Sequence, residues 1–347
     1  MNLLKFVSRE PKLGFKDVLV VPCQGNNINE INQCSQGNQS NQGNNKNIQN
    51  NKVNLFTTFP FYLRKNKKIE WRGIPIVSSN IDSVTDLNTF NILKESKYIS
   101  CFPSYLNEYF IKEFPEELRE TEYYILSCGL NDYYLACELI VKLKKEFGID
   151  VKFLSVNIPN GYITELQDIT LMIRESFPEL IIIAGNVLNA DITYDLIKYS
   201  GVNIVKCGLL HQTENIEKTL GIGYPMLSGL LECSHAAHEA GGYLMSNCGI
   251  SGNPDGIPDG ISKIVKSFAA GADFVMVDGI LEGHKESPPN ICPIQGIKEI
   301  NKEINIQKPM LKTTISKINR SLKRACEYVN ASDLDEFYLN SRFVKIK

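Results

Sequence analysis

Nowhere in these 347 residues does an apolar run approach the roughly 20 residues of a membrane span, and the opening stretch MNLLKFVSREPKLGF lacks the long apolar region and cleavage site of a secretory signal. A cytoplasmic protein without a membrane partner is expected. Charge of neither sign is in surplus: 37 Lys and Arg stand against 39 Asp and Glu, a formal net charge of −2. With no global field and no basic patch interleaved with aromatics, nucleic acid is not expected as a partner, and any phosphate must be captured locally. Tryptophan is reduced to Trp71, ahead of the first apolar run, where packing is its expected role. The ten cysteines follow no paired spacing. Cys101, Cys137, Cys207 and Cys326 fall inside expected strands or helices, which suits buried reduced thiols better than a disulfide framework.

What the chain does have is a rhythm. Runs of β-branched and aliphatic residues recur at 73–79, 98–102, 123–127, 151–156, 180–184, 202–207, 242–246 and 272–277. Each is followed by a polar or glycine-rich loop, and most by a stretch of helical period. Eight nearly continuous apolar strands alternating with helices predict a closed parallel (β/α)8 TIM barrel. The spacing predicts helices over 133–147, with Leu135, Leu139, Ile140 and Leu143 on the core face, and over 164–177, with Leu166, Ile169, Met172 and Ile173. A further amphipathic helix is expected over 315–329, and SRFVKIK at 341–347 reads as a short strand. Length suits one barrel domain over 1–347, interrupted at 24–52 by a tract made largely of Asn, Gln, Ser and Gly. That tract cannot bury enough apolar surface to offset its ordering entropy and is expected to be a disordered surface insertion.

In this fold, chemistry belongs on the loops after the strands' carboxyl ends. They read SSNID (78–82), FPSY (102–105), SCGLND (127–132), NIPNGY (157–162), GNV (185–187), CGLLHQTEN (207–215), SNCGIS (246–251) and DGILEGH (278–284). With KLGFKDVLVVP (12–22), GIPIVSSNIDSV (73–84), IIAGNV (182–187), GIGYPMLSGLLECSHAAH (221–238), AAGADFVMVDGILEGHKES (269–287) and RSLKRACEYVNAS (320–332), the chain resembles the inosine monophosphate dehydrogenase and guanosine monophosphate reductase family, most closely its reductase branch. The resemblance implies an NADPH-dependent oxidoreductase of purine nucleotide metabolism that converts GMP to IMP with release of ammonia, and an oligomeric assembly. Carried over by motif, it implies substrate-binding roles for Asn247, Gly249 and Gly279, and cofactor-binding roles for Asn157, Asn160 and Gly161.

The departures are as specific as the matches. The family attacks the purine C2 with a thiolate in a loop reading roughly GxGPGSxCTT, which here is GLLHQTENIE, with Asn215 or Ile216 at the nucleophile's place. The ribose-binding aspartate of SDGG becomes Asn247, and the aspartate before Asn-Gly-Tyr becomes Asn157. The glycine pair that offers N–H groups to the phosphate becomes Asp278-Gly279, which sets a carboxylate against an anion. The HKH element after the second strand reads Phe102-Pro103-Ser104, and the flap with its catalytic glutamate is replaced by a short connection. Glu299 and Glu303 in that connection fall on a helical face.

Residues that serve folding are retained: Gly14-Phe15, Pro75, Gly185-Asn186, the turn at 221–225 and Gly271-Ala272-Asp273. Weak or lost activity, a pseudoenzyme, is therefore expected, and no catalytic residue is assigned. The alternatives are a non-catalytic subunit that senses a purine nucleotide and pairs with an active paralogue, or an enzyme of changed chemistry. Cys207 and Cys248, at strand ends on the correct face, are read as small buried residues rather than substitute nucleophiles. His235 and His238 beside Cys233 have a zinc-compatible spacing but fall on an outer helix, so no metal is expected. His284 is read as a hydrogen-bonder that fixes its loop.

Overall fold

The computed structural model describes residues 11–23, 53–63, 67–105, 115–209, 220–247, 249, 259–288 and 308–346. The Asn-rich tract, Asn215, Ile216, Cys248, Glu299 and Glu303 lie outside the described residues.

The chain enters through a 3-10 turn, Phe15–Asp17, where the Gly14 N–H donates to the Asp17 carboxylate at 2.7 Å and Phe15 is buried. Strand β1 (Val18–Val20) follows, and then an antiparallel hairpin of β2 (Thr57–Tyr62) and β3 (Lys68–Gly73). The barrel proper is β4 (Ile76–Ser78), β5 (Ile99–Cys101), β6 (Tyr124–Cys128), β7 (Phe153–Asn157), β8 (Ile181–Val187), β9 (Ile204–Cys207), β10 (Tyr243–Ser246) and β11 (Phe274–Val277). These eight pair in parallel, and the sheet closes from β11 onto β4 and from β9 onto β10. All eight expected runs are barrel strands. The first is shorter than expected, because Gly73 ends the hairpin. Pro75, which has no N–H to give to the ladder, takes part only by accepting from the Val275 N–H.

Helices α1 (Leu87–Glu95), α2 (Pro115–Arg119), α3 (Tyr133–Lys142), α4 (Thr164–Ser176), α5 (Ala190–Lys198), α6 (Met226–Glu239) and α7 (Asp259–Ala269) accompany the strands. Asp86 caps α1 by accepting from Thr89 N at 2.8 Å, and Asn189 caps α5 by accepting from Ile192 N at 3.1 Å. Helix α3 widens into a π-turn, Leu143–Phe147, and stops at Gly148 with φ 67°. Two core faces differ from expectation. On α3 the buried face is Ala136, Ile140 and Leu143, and Leu135 is 52% exposed, because it lies about 140° round the helix from Ile140 at roughly 100° per residue. On α4 the buried residues are Leu166, Thr170, Ile173 and Arg174, and Met172 projects outward for the same geometric reason. The C-terminal helix α8 (Leu311–Tyr328) begins earlier than expected and α9 (Leu334–Asn340) follows it. Strand β12 (Phe343–Lys345), expected from SRFVKIK, pairs antiparallel with β1.

Two cores result. Outward strand residues such as Ile76, Leu126, Leu154, Val205 and Val275 pack under the helices. Inside the barrel, Val77, Ile99, Ile125, Phe153, Ile183, Ile204, Met245 and Met276 meet the hairpin's Phe59, Phe61 and Trp71. The hairpin plugs the amino end: Tyr243, which opens β10, donates its hydroxyl to Pro60 O at 2.7 Å, and Phe59 stacks 4.5 Å from Phe274. Trp71 is fully buried, as its packing role requires. Each such aromatic contributes about 1.5–3 kcal/mol by removal from water. Because inward positions recur every second residue, the same strands carry Ser79, Cys101, Ser127, Ser155, Asn157, Gly185, Lys206, Asn247 and Asp278 inward at the opposite, carboxyl end.

Candidate active site at the carboxyl end of the barrel

Strand pairing sets the site's central row: Asn157 is in register with Gly185, Gly185 with Lys206, and Lys206 with Met245. Glycine is required here. A Cβ on Gly185 would fall 2.6 Å from Lys206 O, and one on Gly208 would fall 1.9 Å from Asn247 O. The bare backbones let β8, β9 and the segment after β10 close together, an arrangement held by Gly208 N donating to Val187 O and Asn247 N to Cys207 O.

Across this row runs a chain of amides. Asn157 Nδ2 donates to Asn80 Oδ1 at 3.2 Å, and Asn157 Oδ1 accepts from Lys206 Nζ at 2.7 Å and from Asn186 Nδ2 at 3.4 Å. Asn186 Nδ2 also donates to Ile158 O at 2.9 Å, and its Oδ1 accepts from Asn247 Nδ2 at 2.7 Å. Asn186, Lys206 and Asn247 are buried. Amides do not ionise, so nothing in this chain of four can act as a general base.

Lys206 differs. Burial strips its ammonium of solvent and lowers its pKa from 10.5 to about 8, with the Cys101 thiol a smaller influence that favours the charge. The same burial raises the Cys101 thiol to about 12 and raises that of Cys128, so neither is a ready thiolate. Cys207 is buried and hydrogen-bonds Cys233, which lowers the Cys233 thiol.

At the rim, Asp278 is buried, its Oδ1 has no hydrogen-bond partner, and desolvation raises its pKa. Next to it, Gly279 O accepts from Lys308 Nζ at 2.6 Å. Ser83 donates to Glu282 at 2.5 Å, and Gly249 O accepts from Lys263 Nζ at 3.2 Å. Asn160 Oδ1 accepts from Tyr162 N at 3.1 Å on the exposed β7 loop, whereas Gly161 packs its backbone on Asn186, giving its N–H to Asn186 O at 3.0 Å.

Of the residues singled out from sequence, Asn157 and Asn247 therefore converge on one network through Asn186. Gly249 and Gly279 present carbonyls to lysines at the rim, and Asn160 lies apart. His284 is buried, its ring hydrogen-bonded between Pro309 O and Ile280 O, and it fixes its loop as expected. His238 joins Asp273 at 2.9 Å, and Asp273 also accepts from Leu244 N, so this pair ties α6 to the strand ends. Among the described residues, no cluster of three or more potential metal ligands occurs.

Residues 136–305 match the family model described as the IMP dehydrogenase / GMP reductase domain. The chain is 30% identical over 383 residues to the GMP reductase of Buchnera aphidicola subsp. Baizongia pistaciae, an alignment that covers 98% of this chain and 95% of that protein. It belongs to the IMP dehydrogenase/GMP reductase family. Within that family it is also 28% identical to the GMP reductase of Buchnera aphidicola subsp. Acyrthosiphon pisum (strain Tuc7), covering 98% of this chain and 96% of the relative. The GMP reductase of Onchocerca volvulus is 27% identical, covering 98% and 92%. Among the described residues, no helix is long and apolar enough to cross a membrane.

Sequence reasoning missed Lys206 and the part played by Asn80. The available signal was a single charge inside VNIVKC, which matters only once register turns it inward.

Proposed function

We propose that this is a GMP reductase-family barrel whose NADPH-dependent conversion of GMP to IMP and ammonia is weak or lost. The observation that carries the reading is the commitment of Asn157 and Asn247 to an internal amide chain, together with a buried Asp278 whose Oδ1 has no hydrogen-bond partner. An amide bonds a ribose hydroxyl more weakly than a carboxylate does. Asp278 places a carboxyl group where a nucleotide phosphate approaches Gly279, and the Gly279 carbonyl is held by Lys308. On the cofactor side, the Gly161 N–H is taken by Asn186 and the Asn157 oxygen by Lys206, which leaves the exposed Asn160 amide as the donor able to meet a nicotinamide nucleotide. These residues fit NADPH poorly.

The second reading is a non-catalytic subunit that senses a purine nucleotide and pairs with an active paralogue. It is favoured by the apolar side chains left exposed on neighbouring helices, Tyr134, Leu135 and Val141 with Met172. Calorimetric titration with GMP, IMP and NADPH, followed by the absorbance change of NADPH oxidation, tests both readings. Micromolar nucleotide binding without NADPH oxidation supports the sensor, and turnover at ordinary reductase rates overturns both. Failure to bind at millimolar concentration removes the purine from either reading.

A further inference from the structure

The least explained group in the molecule is Lys206. A lysine ammonium carries three donors, and the hydrogen bond it makes is to a neutral amide oxygen, that of Asn157. The neighbouring strands face it with Cys101 from β5, Asn157 from β7, Gly185 and Asn186 from β8, and Met245 and Asn247 from β10. None of these is a carboxylate, and the titratable group acting on it is the Cys101 thiol, which burial keeps protonated. A buried cation without a counter-charge is costly unless the amine has a use that needs it neutral.

A separate feature points to a ligand at this end of the barrel. Ser79 Oγ, Ser155 Oγ and Asp278 Oδ1 are inward-register, buried atoms at the same end of the barrel, and all three lack a hydrogen-bond partner.

We propose that Lys206 is a carbonyl-reactive amine that forms a Schiff base with a small aldehyde or α-keto acid whose oxygens meet the amide row and the unpartnered serines. This goes beyond the nucleotide reading and does not depend on it. In the step, the neutral Nζ lone pair attacks the carbonyl carbon, and the carbonyl oxygen takes up the proton that nitrogen sheds. The resulting carbinolamine then loses its hydroxyl group with a second proton from nitrogen, as water, and a C=N bond remains. No electrons leave or enter, so no redox partner is required. Burial that brings the amine close to neutrality near pH 8 supplies the nucleophile.

The test is reductive trapping of the intact protein with glyoxylate and borohydride at pH 8, without nucleotide, followed by peptide mapping. Borohydride gives its hydride to the imine carbon and fixes the adduct as a secondary amine. The peptide bearing Lys206 is expected to be labelled at least about tenfold faster than the other lysines, whose ordinary pKa near 10.4 leaves under about 1% neutral at that pH. Its labelling rate should rise through about pH 8 and level off, while surface lysines still climb. Asn157→Asp sets a carboxylate against the amine and should cut labelling at pH 8 by roughly tenfold, with recovery at higher pH. Because the wild-type pH profile is decisive by itself, the test survives if a variant fails to fold. Labelling confined to other lysines in protein that keeps its unfolding midpoint, or a Lys206 profile still climbing at pH 10, overturns the proposal. Neither result bears on GMP or IMP binding, which the titration above measures separately.

Discussion

Below the middle of the barrel the strands turn Val77, Ile99, Ile125, Phe153, Ile204 and Met276 onto the plug of Phe59, Phe61 and Trp71; above it the same strands turn in Ser79, Ser155, Asn157, Lys206, Asn247 and Asp278. The lower half is held by shape and contact, and the Trp71 Nε1 is buried there without a hydrogen-bond partner. The upper half is buried as deeply but leaves Ser79, Ser155 and Asp278 each with an unpartnered atom, along with a cation held by an amide. Each unpaired group costs about 1–3 kcal/mol, so three such atoms beside a buried cation weigh more on the upper half than the single indole N–H does on the plug. The lower half therefore carries the stability that the upper half gives up.

Breaking the lower half should have the largest effect. Trp71→Ala removes a fully buried ring that lies edge-on to Tyr123 and Phe153, and it should cost about 3–5 kcal/mol in denaturant unfolding. At the upper end the same operation should have the opposite sign. Lys206→Met replaces a buried charge with an apolar chain of similar reach and should raise stability at pH 7 by about 1–3 kcal/mol. Folded Lys206 loses its proton near pH 8 and the unfolded residue near 10.5, so between these values the folded chain binds fewer protons. Wild-type stability therefore gains relative to the variant as pH rises through that window, and unfolding curves of the pair at pH 7 and pH 10 should converge.

Asp278→Asn should stabilise by about 1–2 kcal/mol at neutral pH. Its raised pKa makes the wild type lose stability as pH climbs from the unfolded value of 3.8 through the folded one, and the variant should lack that slope. If phosphate exclusion by Asp278 is what weakens nucleotide binding, the same substitution should lower the IMP Kd. The smallest effect belongs to a polar pair on the supporting side. Asp273 raises the His238 pKa, so the pair stabilises below the unfolded pKa of about 6.5 and loses that contribution as pH rises through the folded value. His238→Gln should cost about 0.5 kcal/mol at pH 6 and less at pH 8, as read from unfolding midpoints.

The supporting half was legible in the sequence because burial on both faces writes itself as an unbroken apolar run, and each of the eight runs became a barrel strand. Helix faces were legible to within one residue of rotation, which was enough to put Leu135 and Met172 on the wrong side. The amides Asn157 and Asn247 were legible as positions, through their motifs, but not as members of one chain. Asn186 links them, although its Gly-Asn motif reads as one that serves folding. Lys206 was not legible at all. A charge inside a strand points in or out according to a one-residue register, and register is settled by the closure of the whole sheet.

The pairing of β1 with β12 has a mechanical consequence. Val18 lies opposite Lys345 and Val20 opposite Phe343, so the chain enters the pair beside the point where it leaves. A load drawn apart through the segments flanking the pair would peel its rungs one at a time, beginning with Ile346 N to Asp17 O, instead of shearing them all at once. The two-stranded sheet would act as a fuse, opening at low force while the closed barrel behind it stays intact.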